Sequence, residues 1–469
     1  MTTEAWTRFQ TYATRVRYLH MNHWDWINPL TWAFLSRWCG PRPLLPNLQE
    51  LSILPLDVVH PTTMIFISPS LRHLALELHY STAVISGEHY LAVDILLRTI
   101  TSTAPCITDL SIRNPHSRVP LPVQFGYTVA RLTHLQSLKL ENMSLDLKVL
   151  QWFARVDKLH TLFASIELGD VEEYAESGDD LFEAPEFSQL RHLSLRGTCR
   201  DLCTFIANLS PPPLLSVALD ASEPCSTGSI SDIWYGLVDA FGWDNDPAVV
   251  PIENFALRYP HSLPEQDNVS LVAIINSLFL FRTLKTVKFE FEELPALTDD
   301  ALSRMIEAWP ELTELHIPAG TTQRFPHRIP ARPTMSSLVA FARRCPKLVK
   351  LTLPEIDLDT TLPCRSNMPF VKHPLHSLCV SFYGGRRDTY RDDGPSWRHF
   401  DAARMIDRLF PSVILQDPPA RKTEYRIFAE KEENVPARVR EYLEAMHIGR
   451  RNGRLLKGRL TASGALHVG

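Results

Sequence analysis

One six-residue phrase recurs along this chain, apolar at its first, fourth and sixth positions and mostly polar between them. Its clearest copies are Leu48–Leu51–Ile53, Leu71–Leu74–Leu76, Leu135–Leu138–Leu140, Leu190–Leu193–Leu195, Leu312–Leu315–Ile317 and Leu348–Leu351–Leu353. Looser copies fill the gaps: Ile107–Leu110–Ile112, Leu159–Leu162–Ala164, Leu214–Val217–Leu219, Ile252–Phe255–Leu257, Leu284–Val287–Phe289 and Leu375–Leu378–Val380. A short strand of this kind hides its apolar positions only against neighbouring copies, so no copy is stable alone and the chain must fold as a stack.

The phrase is similar to the strand signature of a leucine-rich repeat. Twelve copies predict an α/β leucine-rich-repeat solenoid, with a curved parallel sheet on the concave side and helices on the convex side. Successive starts lie from 23 residues apart (Leu48 to Leu71) to 38 apart (Leu214 to Ile252), which leaves room for a helix in most repeats. Helical periodicity and end signals fall where that arrangement needs them: Tyr90–Thr101, Leu145–Ala154, Ile230–Phe241, Ser270–Phe281, Ala301–Trp309 and Ser336–Arg344. Thr298, Asp299 and Asp300 supply caps for one of them, and Pro310 stops it.

The ends depart from the rhythm. Residues 1–45 carry Trp6, Trp24, Trp26, Trp32 and Trp38 and a helical pattern over Phe9–Leu19, which reads as an aromatic cap on the open end of the core. The repeats are expected over 46–415. Residues 416–469 are expected to hold a last helix, Arg438–Met446, and a basic flexible tail, Arg450–Arg459. Gly169–Glu186 has eight acidic and no basic residues, the composition of an exposed insertion, without the spacing of a calcium loop. Arg324–Pro333 and Gly384–Pro395 read as loops.

Net charge is −5 over 469 residues, so no global field favours nucleic acid or acidic lipid. The longest apolar run, around Leu271–Phe281, is too short for a bilayer span, and cytoplasmic or nuclear residence is the expectation. Eight cysteines are too scattered for a disulfide scaffold and lack paired zinc spacing; Cys106 and Cys345, just ahead of strand phrases, are expected to be buried. Cys199 and Cys203 read as one helix face. His20, His23 and Asp25 could offer two or three metal ligands but read more simply as cap or surface residues. Phosphate-binding, metalloprotease and nucleophile-elbow motifs are absent from the sequence. No catalysis, cofactor or metal is therefore expected.

Strand alternation turns the third, fifth and seventh residues of each phrase toward the concave side. That places His73, Glu77, Arg113, Lys139, Glu141, His192, Arg196, Asp220, Arg258, Lys288, Glu290, His316 and Lys350 on one face, a mixed-charge surface suited to a protein or peptide.

Two segments resemble the F-box/leucine-rich-repeat proteins of the fungal type. The run Trp6-Thr7-Arg8-Phe9-Gln10-Thr11-Tyr12-Ala13-Thr14-Arg15-Val16-Arg17-Tyr18-Leu19 looks like the segment joining an F-box to its repeats, and Phe66-Ile67-Ser68-Pro69-Ser70-Leu71-Arg72-His73-Leu74 is similar to an early repeat. The resemblance implies a substrate receptor of a ubiquitin ligase, in which partners carry out the chemistry. A Skp-type adaptor and a cullin follow only where an F-box stands upstream, since the L-P-x-E/D phrase of that motif is not found before Trp6. A ligase-independent interaction scaffold is the alternative.

Overall fold

The computed structural model describes residues 2–21, 28–56, 61–78, 87–114, 119–169, 186–209, 213–240, 251–261, 270–320, 332–358, 371–383, 397–416 and 437–451. The chain divides into two compact units, Met1–Glu223 with Asp239–Gly242, and Pro224–Val238 with Trp243–Gly469. The fold is the α/β leucine-rich-repeat class that the phrase predicts.

In the first unit the strands are β1 (Tyr18–Met21), β2 (Glu50–Leu56), β3 (His73–Leu78), β4 (Asp109–Arg113), β5 (Val119–Pro120), β6 (Ser137–Leu145), β7 (Thr161–Ile166), β8 (His192–Gly197) and β9 (Ser216–Ala221). They pair in the order β1-β2-β3-β4-β6-β7-β8-β9, all parallel, and the short β5 adds to the far end of β6. In the second unit β10 (Asn254–Tyr259), β11 (Thr286–Phe291), β12 (Glu314–His316), β13 (Lys350–Asp357), β14 (Ser377–Tyr383) and β15 (Ile414–Gln416) pair in chain order, again all parallel.

All three apolar positions of all twelve phrases are buried, and Phe255, at 3%, is the most exposed of them. Burying a side chain of this size is worth roughly 1.5–3 kcal/mol, and it is realised only when the next repeat is in place. A turn hydrogen bond sets the register. The carbonyl at the second phrase position accepts two N–H groups from the following repeat: Gln49 O from Arg72 and His73, Arg72 O from Thr108 and Asp109, Lys285 O from Thr313 and Glu314. Each repeat therefore fixes where its successor starts.

The crossover helices begin at side-chain caps. Thr298 accepts from the Ala301 N–H ahead of the helix Asp299–Ala308, Thr334 from Ser336 ahead of Met335–Arg344, and Asp146 from Val149 ahead of Leu147–Ala154. Asp299–Ala308 buries Ala301, Leu302, Met305 and Ile306 on one side. The expected helix over Ser270–Phe281 divides into an α-helical turn, Leu271–Ile275, and a 3-10 turn, Asn276–Leu280.

Several local expectations change. The N-terminal helix is Thr3–Ala13, not Phe9–Leu19, and Thr2 caps it. Val16-Arg17-Tyr18-Leu19-His20-Met21 is instead a further copy of the phrase: Arg17 O accepts from Gln49 and Glu50, and Leu19 registers with Leu51. Apolar residues spaced three and four apart imitated a continuing helix there. At the other end β15 adds a strand after the twelfth phrase, Leu415 registering with Leu378. The expected last helix runs over 437–451. Arg450, read as the start of a basic tail, is held at this helix end, donating to Pro411 O at 3.0 Å and pairing with Asp407.

Cys345 is buried, but Cys106 is exposed. Cys345 lies three residues before its phrase, at the inward turn where Leu348 N–H bonds back to it, whereas Cys106 is adjacent to Ile107, on the outer side of that turn. Cys199 and Cys225 are each disulfide-bonded, where the scattered cysteines gave no reason to expect a disulfide. Residues 170–185, 324–331, 384–395 and 452–459, parts of the acidic insertion, both loops and the basic tail, lie outside the described residues, as do His23 and Asp25. Arg332, at the end of one of those loops, is half-buried against Glu355 at 2.7 Å.

Candidate functional site

The open face of the first unit carries His73 and Glu77 on β3, Arg113 on β4, Lys139 and Glu141 on β6, His192 and Arg196 on β8, and Asp220 on β9. Strand register decides what these groups do. Equal phrase positions on parallel neighbours lie side by side, so a charge faces the residue one repeat away. Glu77, Arg113 and Glu141 share the seventh position, and Arg113 bridges the two carboxylates at 3.7 and 3.3 Å. His73 Nδ1 lies 2.9 Å from Asp109 at the third position, and Arg196 lies 3.8 Å from Asp220 at the seventh.

The open face of the second unit repeats the pattern. Arg258 on β10 lies 3.9 Å from Glu290 on β11, and Lys288 on β11 lies 3.1 Å from Glu314 on β12. His316 follows Glu314 by two residues on β12, and Lys350 begins β13. Burial holds His316 below the usual histidine range; Glu290 and Glu314 push the other way, and Lys288 adds to the lowering. These exposed pairs are each worth about 0–1 kcal/mol, so they order side chains more than they stabilise the sheet. Several of the predicted charges are thus brought together across strands, in rows where the positions match and on a diagonal for Lys288 and Glu314, and are partly neutralised there.

Reading charges alone misses a recess in the face. The fifth phrase position is Ser52 on β2, Ala75 on β3 and Ser111 on β4, three short side chains on successive strands. Above them opens a shallow cavity of about 120 Å³. Glu50, His73, Asp109 and Ser137, at the third position, form one wall, and Lys139, at the fifth position of β6, closes one end. Lys139 is exposed and has no ion-pair partner among the described residues. His73 and Lys139 are the only predicted site residues that line this cavity. The signal that could have found it is a run of small residues at one phrase position in three consecutive repeats.

Chemically the cavity offers hydroxyls, carboxylates, an imidazole and an ammonium on a small-residue floor, the kit of a polar recognition surface. Among the described residues, no group of three or more His, Cys, Asp or Glu is placed to hold a metal ion, and no helix is long and apolar enough to cross a membrane.

No protein-family model matches the sequence, and no curated protein matches it. Among solved structures the chain is similar to a leucine-rich-repeat protein of Leptospira interrogans, at 14% identity and TM-score 0.36, covering 87% of this chain and 79% of that one. It is similar to an internalin of Listeria monocytogenes at 9% identity and TM-score 0.35, covering 83% and 94%. It is also similar to the leucine-rich-repeat ectodomain of the plant membrane receptor kinase GASSHO1/SCHENGEN3 from Arabidopsis thaliana, in complex with CASPARIAN STRIP INTEGRITY FACTOR 2, at 14% identity and TM-score 0.20, covering 79% of this chain and 50% of that one. At these values the fold assignment rests on this chain's own strand register and buried phrase positions.

Proposed function

We propose that this chain is a non-catalytic binding protein that holds a protein or peptide on the open face of its first unit. The observation that carries the reading is the cavity over Ser52, Ala75 and Ser111, where four parallel strands present a recess between ordered charges. A ligand with extended backbone and polar side chains suits it: hydroxyls satisfy its amides, and an acidic side chain pairs with Lys139.

The finer reading is a substrate receptor of an F-box-type ubiquitin ligase in the cytoplasm or nucleus. It rests on the resemblance of Trp6–Leu19 and Phe66–Leu74 to that group of proteins. In that role the cavity holds the protein to be modified, and a Skp-type adaptor and cullin bring the transferring enzyme.

Peptides selected by display against the chain test the first level. Ala75→Arg and Ser111→Arg, which fill the recess from an open surface without touching the core, abolish binding of the selected peptides if the site is correct. Retained binding in both variants refutes it. Reconstitution of the full gene product with adaptor, cullin and ubiquitin-charged enzyme tests the second. Ubiquitin on a protein captured at the recess supports the receptor role; capture without transfer favours the ligase-independent scaffold.

A further inference from the structure

The helix Pro29–Cys39 carries an exposed apolar row that the other described residues of the first unit leave open. Leu30 is 67% exposed, Phe34 62% and Trp38 38%, and their spacing of four places them on one side of the helix. The opposite side is anchored, because Trp32 is buried with its ring edge-on to Phe66 at 5.4 Å. The row is therefore fixed in place. Trp38 also approaches Trp6 at 5.8 Å, and Trp6 stacks on Phe9 at 5.2 Å, which joins the row to the helix Thr3–Ala13.

Exposed charges on the described residues of these two helices and at their ends are mostly basic. The helix Pro29–Cys39 contains no acidic residue, and Arg37 lies one turn from Phe34. Arg8, Arg15 and Arg42 are exposed nearby in the sequence, against the exposed Glu4. Arg15 also sits 5.7 Å from the ring of Tyr12, itself 53% exposed. Aromatic rings beside arginines are the composition of the energetic centre of a protein interface.

We propose that this surface docks an acidic amphipathic helix of a partner protein. A row of three side chains across nine residues, eight helical steps, is about 12 Å long, close to the length along which a second helix sets anchors at i, i+4 and i+7. Its narrowness favours a helix over a lipid surface, and the arginines select carboxylates flanking the partner's apolar stripe. The surface is separate from the open sheet face, so the inference stands independently of the function proposed above.

The test uses the full chain and three probes: a synthetic 18-residue helix with a leucine stripe flanked by Glu, the same peptide with Lys in place of Glu, and vesicles containing anionic phospholipid. The Glu peptide is expected to bind at least about tenfold more tightly than the Lys peptide, a preference that Arg37→Glu removes. Phe34→Ser and Leu30→Ser, both at exposed positions and so without effect on the circular dichroism spectrum, each weaken the Glu peptide by about tenfold. Equal binding of the two peptides, binding unchanged in the Ser variants, or association with vesicles alone overturns the proposal.

Discussion

Removing one carboxylate should uncouple two neighbouring repeats of the second unit. Asp299 is the first residue of the helix Asp299–Ala308, and its side chain reaches across to the next repeat, accepting from the Thr334 N–H at 2.8 Å and the Thr334 hydroxyl at 2.6 Å. It also accepts from the hydroxyl of Ser337, a residue only 3% exposed. Thr334 in turn caps the helix Met335–Arg344, so a single group ties the starts of two helices together. Hydrogen bonds to a charged acceptor are worth roughly 1.5–3 kcal/mol each, and a buried hydroxyl left without an acceptor costs about 1–3 kcal/mol. These contributions overlap, and Asp299→Ala is expected to cost about 2–4 kcal/mol locally. Two compact units make a global unfolding curve a poor reporter, so native-state hydrogen exchange at the amides of β12 and β13 is the suitable assay. Their opening free energy should fall by that amount, and Asp299→Asn should recover part of it. A double-mutant cycle with Thr334→Val should show coupling of about 1 kcal/mol or more. A change below about 0.5 kcal/mol in Asp299→Ala, the range of an ordinary surface substitution, would refute the clamp.

Three further outcomes are expected. Burial lowers the pKa of His373, whose Nδ1 accepts from the Leu375 N–H at 3.1 Å while Nε2 donates to Cys345 O at 2.7 Å. The unfolded state therefore binds the extra proton first: stability is intact above the ordinary histidine pKa of about 6.5 and declines as pH falls below it. Melting of the second unit at pH 7.5 and 5.5 should show that decline, smaller in His373→Gln; identical slopes would contradict it. Alkylation under native, non-reducing conditions should label exposed Cys106 and spare Cys345, buried and with its thiol pushed up to about 11, as well as disulfide-bonded Cys199 and Cys225; early labelling of Cys345 would count against the turn geometry. Asn142 has φ 58° in β6 and donates to Asn114 O at 2.8 Å, so Asn142→Val should cost about 2 kcal/mol or more in native-state hydrogen exchange at the β6 amides and Asn142→Gly less; the reverse order would show that the backbone there is not left-handed.

How much of the fold is legible in the sequence follows from how local each residue's burden is. Positions one, four and six of each phrase are buried because alternation leaves them nowhere else to go, and Thr298 marks a helix start because a cap acts within three residues. The first strand was hidden because Val16 and Leu19 continue a spacing begun by a real helix. The fates of Cys106 and Cys345 turn on an offset of two residues relative to a turn, which similar flanking residues conceal. Ion pairs such as Glu77–Arg113–Glu141 were legible only in outline: phrase alignment puts the three at one position, but repeats of unequal length give no warrant for equal register. The recess over Ser52, Ala75 and Ser111 was missed for a different reason, since a cavity is made by what side chains lack. The disulfide-bonded state of Cys199 and Cys225 has no periodic signal at all.

The account depends on one alternation, apolar residues inward and polar residues outward along each parallel strand. Single cysteines placed at Ser137, Leu138, Lys139, Leu140 and Glu141 of β6, in a chain whose free cysteines are replaced by serine, test it most directly by their rates of alkylation. Cysteines at 137, 139 and 141 should react rapidly and those at 138 and 140 slowly, matching the burial of Leu138 and Leu140. Uniform rates, or the opposite phase, which a one-residue slip would produce, would contradict the repeat register and remove the surface proposed to bind a partner.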